Sequence, residues 1–290
     1  MTASSPIHAA GLMVCAGAFF AISNTVVQFC TMVAGMPTTT VAFWQYVIAF
    51  LFTLPWLVSN GLKVVATRRF GRYLVQVLFA AAGIQFWVLG LAYVPIWQAI
   101  ALALLMPFFV TLGSAVFLGE SVDRGRWAAV IVAFAGGMII LAPWSESFTL
   151  FAVLPALAAA SWAIASLLMK QLTDTESPAK ITFYVLLLLA PMNGLLGLGA
   201  GGLTVAPHLW IYVIAAGLLV GLGQYTLASA YSRADASFLQ PFDHLKLPLN
   251  VTLGILVFGF IPPGSMLIGS LMIIGASAYM LRQDHGHLAS

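Results

Sequence analysis

The chain has 290 residues, of which 62% are hydrophobic and only 7% charged, and its formal net charge is +3. An ordinary soluble domain is about a quarter charged, so a water-soluble fold is excluded. The polar stretches are also too short to hold a soluble catalytic or binding domain. The Lys and Arg residues are scattered among short loops, which argues for topology signals and against a nucleic-acid surface.

A bilayer core of ~30 Å takes about 20 apolar residues per helix, and ten runs approach that length. The first, 9–33, has no Lys or Arg before it and is too long for the core of a cleaved signal peptide. It carries both cysteines, Cys15 and Cys30. On an intact helix with a rise of ~1.5 Å per residue these lie about 22 Å apart and cannot bridge each other. The next runs are 39–59, 73–93 and 95–118. The last two are divided at Pro95, which lacks a donor and biases the preceding residue away from helix. There follow 127–144, 149–169, 181–202, 209–231, 236–258 and 265–281.

Ten crossings return both termini to one side. Lys63, Arg68, Arg69, Arg72, Arg124, Arg126, Lys170, Lys180, Arg233 and Arg282 then share it, ten of the eleven basic residues. By the positive-inside rule that side is cytoplasmic. The exception, Lys246, lies inside the ninth run.

Residues 107–117 (PFFVTLGSAVF) match 248–258 (PLNVTLGILVF) at seven of eleven positions with an offset of 141, and 20–24 (FAISN) resembles 162–166 (WAIAS) at an offset of 142. The chain therefore reads as two copies of a five-helix unit, 1–144 and 145–290. Five is odd, so the second copy enters the membrane from the opposite face. That is the inverted-repeat plan of many secondary transporters, in which the halves exchange conformations to open a central cavity to alternate sides.

The ninth run holds the densest polar group: Gln240, Pro241, Asp243, His244, Lys246 and Pro248. Ionisable side chains at that depth are costly unless paired or facing water. Asp243 and Lys246 are three apart and can neutralise each other on one helix face, with His244 turned aside. Two readings stay open. In one the pair is an internal salt bridge; in the other Lys246 is the counter-charge for an anionic group, and Asp243 or His244 a cation partner or proton carrier. Asn24, Gln85, Trp97, Gln98, Trp162 and Gln224 are the candidates to complete a substrate site, as amide and indole groups suit planar or amphipathic solutes. The Gly197/Gly201 and Gly217/Gly221 pairs read as close helix packing.

No phosphate-binding loop, zinc-protease motif or nucleophile elbow occurs, so neither ATP coupling nor hydrolysis has a motif behind it. An intramembrane hydrolase and a non-transporting sensor or assembly protein are the rival classes.

The duplicated layout, the run PFFVTLGSAVFLGE ending at Glu120, the glycine-rich segment Ala135-Gly136-Gly137 and the second signature from Gln240 to Gly259 resemble the EamA branch of the drug/metabolite transporter superfamily. The likeness spans nearly the whole chain. One departure is that Ile261 stands where the second Gly-Glu would end, so Glu120 has no counterpart. The resemblance implies a carrier of a small organic metabolite, an amino acid or a vitamin such as riboflavin, with its cavity between the halves. The expectation is thus an all-α integral membrane protein of ten helices in a bacterial inner-type plasma membrane, not an enzyme, with no cofactor or metal. Its partners would be the lipid bilayer and a small-molecule substrate, and it would work as a monomer or homodimer.

Overall fold

The computed structural model describes residues 6–93, 96–113, 115–116, 124–141, 144, 148–199, 203–243, 245–259, 261 and 264–288. Its elements are α1 (Pro6–Gln28), α2 (Thr38–Asn60), α3 (Phe70–Tyr93), α4 (Ile96–Ala103), α5 (Met106–Gly113), α6 (Arg124–Leu141), α7 (Leu154–Thr173), α8 (Pro178–Gly199), α9 (Trp210–Tyr231), α10 (Ala236–Asp243), α11 (Lys246–Phe258) and α12 (Gly264–Leu288). No strand occurs among the described residues. A helix satisfies its own backbone hydrogen bonds, which is what an apolar surround demands. Five stretches are long and apolar enough to cross a membrane: Ile7–Val33, Thr38–Asn60, Leu150–Thr173, Pro178–Leu195 and Pro207–Tyr231.

The structure divides two of the expected continuous helices. The run 95–118 breaks between α4 and α5, and the run 236–258 breaks between α10 and α11. Each lower segment restarts on a proline in its first turn, Pro107 or Pro248, where the missing N–H is no loss. A proline there cannot continue a helix from the preceding turn, and the upstream segments end at Ala103 and Asp243. Pro95 and Glu120 lie outside the described residues.

The packing is preserved when the halves are exchanged. α1 packs on α9 as α3 does on α7; α2 contacts α8 and α9 while α8 contacts α2 and α3; α6 pairs with α12; α1 meets α10 and α11 as α7 meets α4 and α5. Individual contacts repeat between the halves, the rings at an offset of 140 and the carbonyls they bond at 138. Trp44 lies edge-on to Trp210 at 4.9 Å, and its Nε1 donates to the Leu203 carbonyl at 2.8 Å. Its counterpart Tyr184 lies edge-on to Phe70 at 6.2 Å, and its hydroxyl donates to the Val65 carbonyl at 2.6 Å. The α6–α12 pair is tightest at Gly136 and Gly269. A Cβ at Gly136 would sit 2.7 Å from the Gly269 oxygen, and one at Gly269 would sit 2.6 Å from the Gly136 oxygen. Such close approach is what small residues permit between membrane helices. Gly217 and Gly221 act likewise against Ile48 and Ala49 of α2; Gly201 lies outside the described residues.

The two ends of the bundle differ. At the end carrying Lys63, Arg68 and Arg69, one continuous core joins both halves: Ala9 and Met13 of α1, Tyr73 and Val77 of α3, Leu167 and Leu172 of α7, Ile181 and Val185 of α8, Tyr231 of α9 and Leu239 of α10. It is clasped by Glu176, whose Oε1 accepts from Thr67 Oγ1 and whose Oε2 pairs with Lys180 Nζ, both at 2.6 Å. Lys180 also donates to the Ala66 carbonyl at 3.0 Å. Away from that end the buried apolar residues form three separate clusters: one around Cys30, Val41 and Val213, one around Ala99 and Ala152, and a larger one in which α4, α5 and α6 pack on α12 around Leu102, Leu105, Ile140 and Met266. Among the described residues the basic end is sealed by one core common to both halves, whereas the core toward the other end is divided into separate clusters.

Candidate functional site

The break between α10 and α11 places Asp243 at the C-terminal end of one helix and Lys246 at the N-terminal end of the next. Each charge stands at the unfavourable pole of its own helix dipole, and the ion pair between them, Nζ to Oδ2 at 2.5 Å, offsets both penalties. The Asp243 side chain is buried and that of Lys246 is about a quarter exposed. Asn250 Nδ2 donates to the Lys246 carbonyl at 2.7 Å, closing the first turn of α11. Gly17 of α1 makes room for the lysine stem, because a Cβ there would lie 3.3 Å from Lys246 Cβ. A groove of about 200 Å³ lined by Ala18, Ala21, Ile22, Leu249, Thr252 and Leu253 runs beside this contact. It presents only apolar surface, so it offers room without recognition.

A second cluster forms where α7 meets α3. The Trp162 indole lies over Gly83, where a Cβ would be 2.5 Å from both Cδ1 and Nε1. The ring of Trp87, one turn further along α3, is 5.7 Å away at 48°. The exchanged contact sits on the other half, where Phe20 of α1 lies over Gly223 of α9 with a Cβ distance of 2.8 Å. Glycine at 83 and 223 is thus required by the aromatic seated on it. Neither the Trp162 nor the Trp87 indole N–H, nor the amides of Asn24, Gln85 and Gln224, has a hydrogen-bond partner among the described residues. Trp162, Gln85 and Gln224 are half-buried, whereas Asn24 is exposed. These are polar groups available to a ligand.

Gln98 departs from the expected role: its Nε2 donates to the Ile140 carbonyl at 3.3 Å, tying α4 to α6. Trp97 and Gln240 stand on α4 and α10, but their side chains lie outside the described residues, as does all of His244. Sequence reasoning passed over Gly83, Gly223 and Phe20 as site-forming residues. The two glycines do share the 140-residue offset, a signal that could have paired them. It also passed over Ser23, which is buried beside Asn24 and donates to the Ala216 carbonyl at 3.2 Å. Asp243–Lys246 and Trp87–Trp162 are each brought together, and among the described residues no hydrogen bond, ion pair or ring contact links one pair with the other.

Comparison with known proteins identifies the family. The profile of the EamA-like transporter family matches residues 8–142 and again 149–282. A riboflavin transporter of Rhizobium johnstonii is 47% identical over 94% of this chain and 90% of its own length. One of Vibrio cholerae is 45% identical over 96% of this chain and 94% of its own length. The crystal structure of another protein superposes with a TM-score of 0.73 over 100% of both chains at 18% identity, which speaks to the fold alone.

Proposed function

This chain belongs to the EamA-like transporter family, and from that premise we propose that it carries riboflavin across a bacterial inner membrane by alternating access. The observation that carries the reading is the high identity, over nearly full length, to transporters named for that vitamin. The Trp162–Trp87 cluster supports it. Riboflavin presents a flat, uncharged tricyclic ring with hydrogen-bonding edges, which suits aromatic faces beside unengaged amides. In this reading Trp162 and Trp87 form the stacking wall, with Gln224 and Asn24 as the edge contacts; Gln85, about 200° round α3 from Gly83 and Trp87, is turned away from that wall. Gln98, bonded to the Ile140 carbonyl, is not assigned to the substrate. A neutral ring needs no counter-charge, so Asp243 and Lys246 remain paired and keep the helix break polar, with His244 between them. No catalytic step is assigned to any of them.

Alternating access rests on ten crossings in two units, 1–144 and 145–290, of opposite orientation, with both termini on the cytoplasmic side. Its support is the exchange symmetry of the helix contacts, together with five helical runs in each half. An odd number of crossings reverses the second unit. A second reading has one observation in its favour: the buried ion pair also suits a zwitterionic amino acid, whose two charges could replace the internal partners.

Uptake by proteoliposomes decides between them. Riboflavin is followed by its own fluorescence and a panel of labelled amino acids by radioactivity. Saturable riboflavin uptake that falls in Trp162→Ala at unchanged protein abundance is the expected result. Uptake of an amino acid and none of riboflavin, by folded protein, would overturn the assignment in favour of the second reading.

A further inference from the structure

Positions 73, 76, 80, 83 and 87 of α3 recur at helical spacing and, at ~100° per residue, fall within a sector of about 80°. One end of this stripe is the aromatic cluster, Gly83 under Trp162 and Trp87 beside it. The other end runs into the sealed basic end, where Tyr73 and Gln76 are almost wholly buried, at 0% and 2% exposure. The Tyr73 hydroxyl and the Gln76 side-chain oxygen have no hydrogen-bond partner there. The Tyr73 ring is stacked on Tyr184 at 4.5 Å and 29°, while the Tyr184 hydroxyl is committed to the Val65 carbonyl.

A buried amide or hydroxyl without a partner is costly and uncommon, and an apolar residue of similar shape would remove the cost. Valine or leucine would complete the core that surrounds Gln76. What a polar pair at these positions offers is contacts in another arrangement of the same helices, when the seal parts and water or solute reaches them. We infer that Gln76 and Tyr73 line the passage from the aromatic cluster to the basic end, and that they hydrogen-bond the polar edge of the departing solute once that end opens. This rests on the transport reading above and adds the route within it. Gln76, with one donor group and one acceptor, is the positioning residue; Tyr73 extends the same path toward the surface.

The test reads the route without a substrate. With Cys15 and Cys30 replaced by Ala, Gln76→Cys is compared with Val75→Cys, whose native side chain is 42% exposed on the outer surface of the bundle. A water-soluble maleimide is applied to each side in turn, using right-side-out and inside-out vesicles. The Gln76→Cys variant is expected to react from the basic side at least ~10-fold faster than the Val75→Cys variant, because only a position lining a hydrated passage meets water at that depth. Gln76→Leu is expected to unfold no earlier than wild type and to retain riboflavin binding from the divided end, yet to lose about 10-fold in uptake, as removal of a transport-specific hydrogen bond would. Equal, slow labelling of both cysteine variants from both sides, or wild-type uptake by Gln76→Leu, would overturn the route. Failure of the wild-type protein to carry riboflavin would overturn the substrate assignment alone, since the labelling contrast does not depend on it.

Discussion

Replacing Gly83 by Ala sets two effects against each other. Alanine is favoured over glycine inside a helix by ~1 kcal/mol, which would stabilise α3. The new Cβ, however, falls 2.5 Å from two atoms of the Trp162 ring, where carbon contacts are optimal at about 3.5–4.0 Å. The indole must move by about 1 Å, or α3 and α7 must separate, and overpacking of that kind costs ~1–3 kcal/mol. The clash is therefore expected to win by up to about 2 kcal/mol. Gly254→Ala is the control, because its Cβ would meet nothing within 4 Å; it should hold or gain stability. The assay is thermal unfolding of the purified protein in detergent, with riboflavin binding measured in parallel. Gly83→Ala should lower the midpoint relative to Gly254→Ala and weaken binding by about tenfold, equivalent to ~1.4 kcal/mol. Adding Trp162→Phe, a smaller ring, should restore much of the stability but not the binding, and the coupling is read from the double-mutant cycle. A Gly83→Ala protein as stable as the Gly254→Ala control, with no coupling to position 162, would refute the contact as the reason for the glycine.

Three further outcomes follow from the geometry. Lys246→Met leaves the Asp243 carboxylate buried without its partner, which costs ~3–5 kcal/mol in a fully desolvated pair and less here because the lysine is partly exposed. Folded yield should fall in the single variant and recover when Asp243→Asn is added, as scored by size-exclusion chromatography. Gly136→Ala should be more damaging than Gly83→Ala, because its Cβ meets the Gly269 backbone oxygen at 2.7 Å rather than a side chain that can turn aside; the same unfolding assay ranks the two. Glu176→Gln removes the charge that holds Thr67 and Lys180 together at 2.6 Å and should cost ~1–3 kcal/mol. Hydrogen exchange should show the 61–69 loop opening first in that variant, and unchanged protection there would count against the clasp.

Much of this molecule was legible without coordinates because its strongest signals are local. The scarcity of charge, the spacing of the apolar runs and the reappearance of PFFVTLGSAVF as PLNVTLGILVF depend only on residues near one another along the chain. They were enough for helices, a duplication and a polar group at Asp243 and Lys246 inside an apolar run, and the three-residue spacing of that pair is itself local; the break between α10 and α11 was not read, and the run was expected as one helix. The break at 104–105 was equally local, written in Pro107, but the apolar residues around it disguised it as a continuous span.

What the sequence by itself could not decide is which helix face meets which. Nothing in the spacing of Gln76, Gln85 and Gln98 distinguishes them; only the packing of α3 and α4 leaves the first buried and unpaired, the second half-buried and unengaged, and the third bonded to the Ile140 carbonyl. Likewise the need for glycine at 83 and 223 exists only because Trp162 and Phe20 arrive there from helices far away in sequence. In membrane helices that are apolar all round, the hydrophobic pattern no longer marks an inner face. The choice of partner passes to shape, close backbone approach and a few polar groups, and these acquire their meaning only in the assembled bundle.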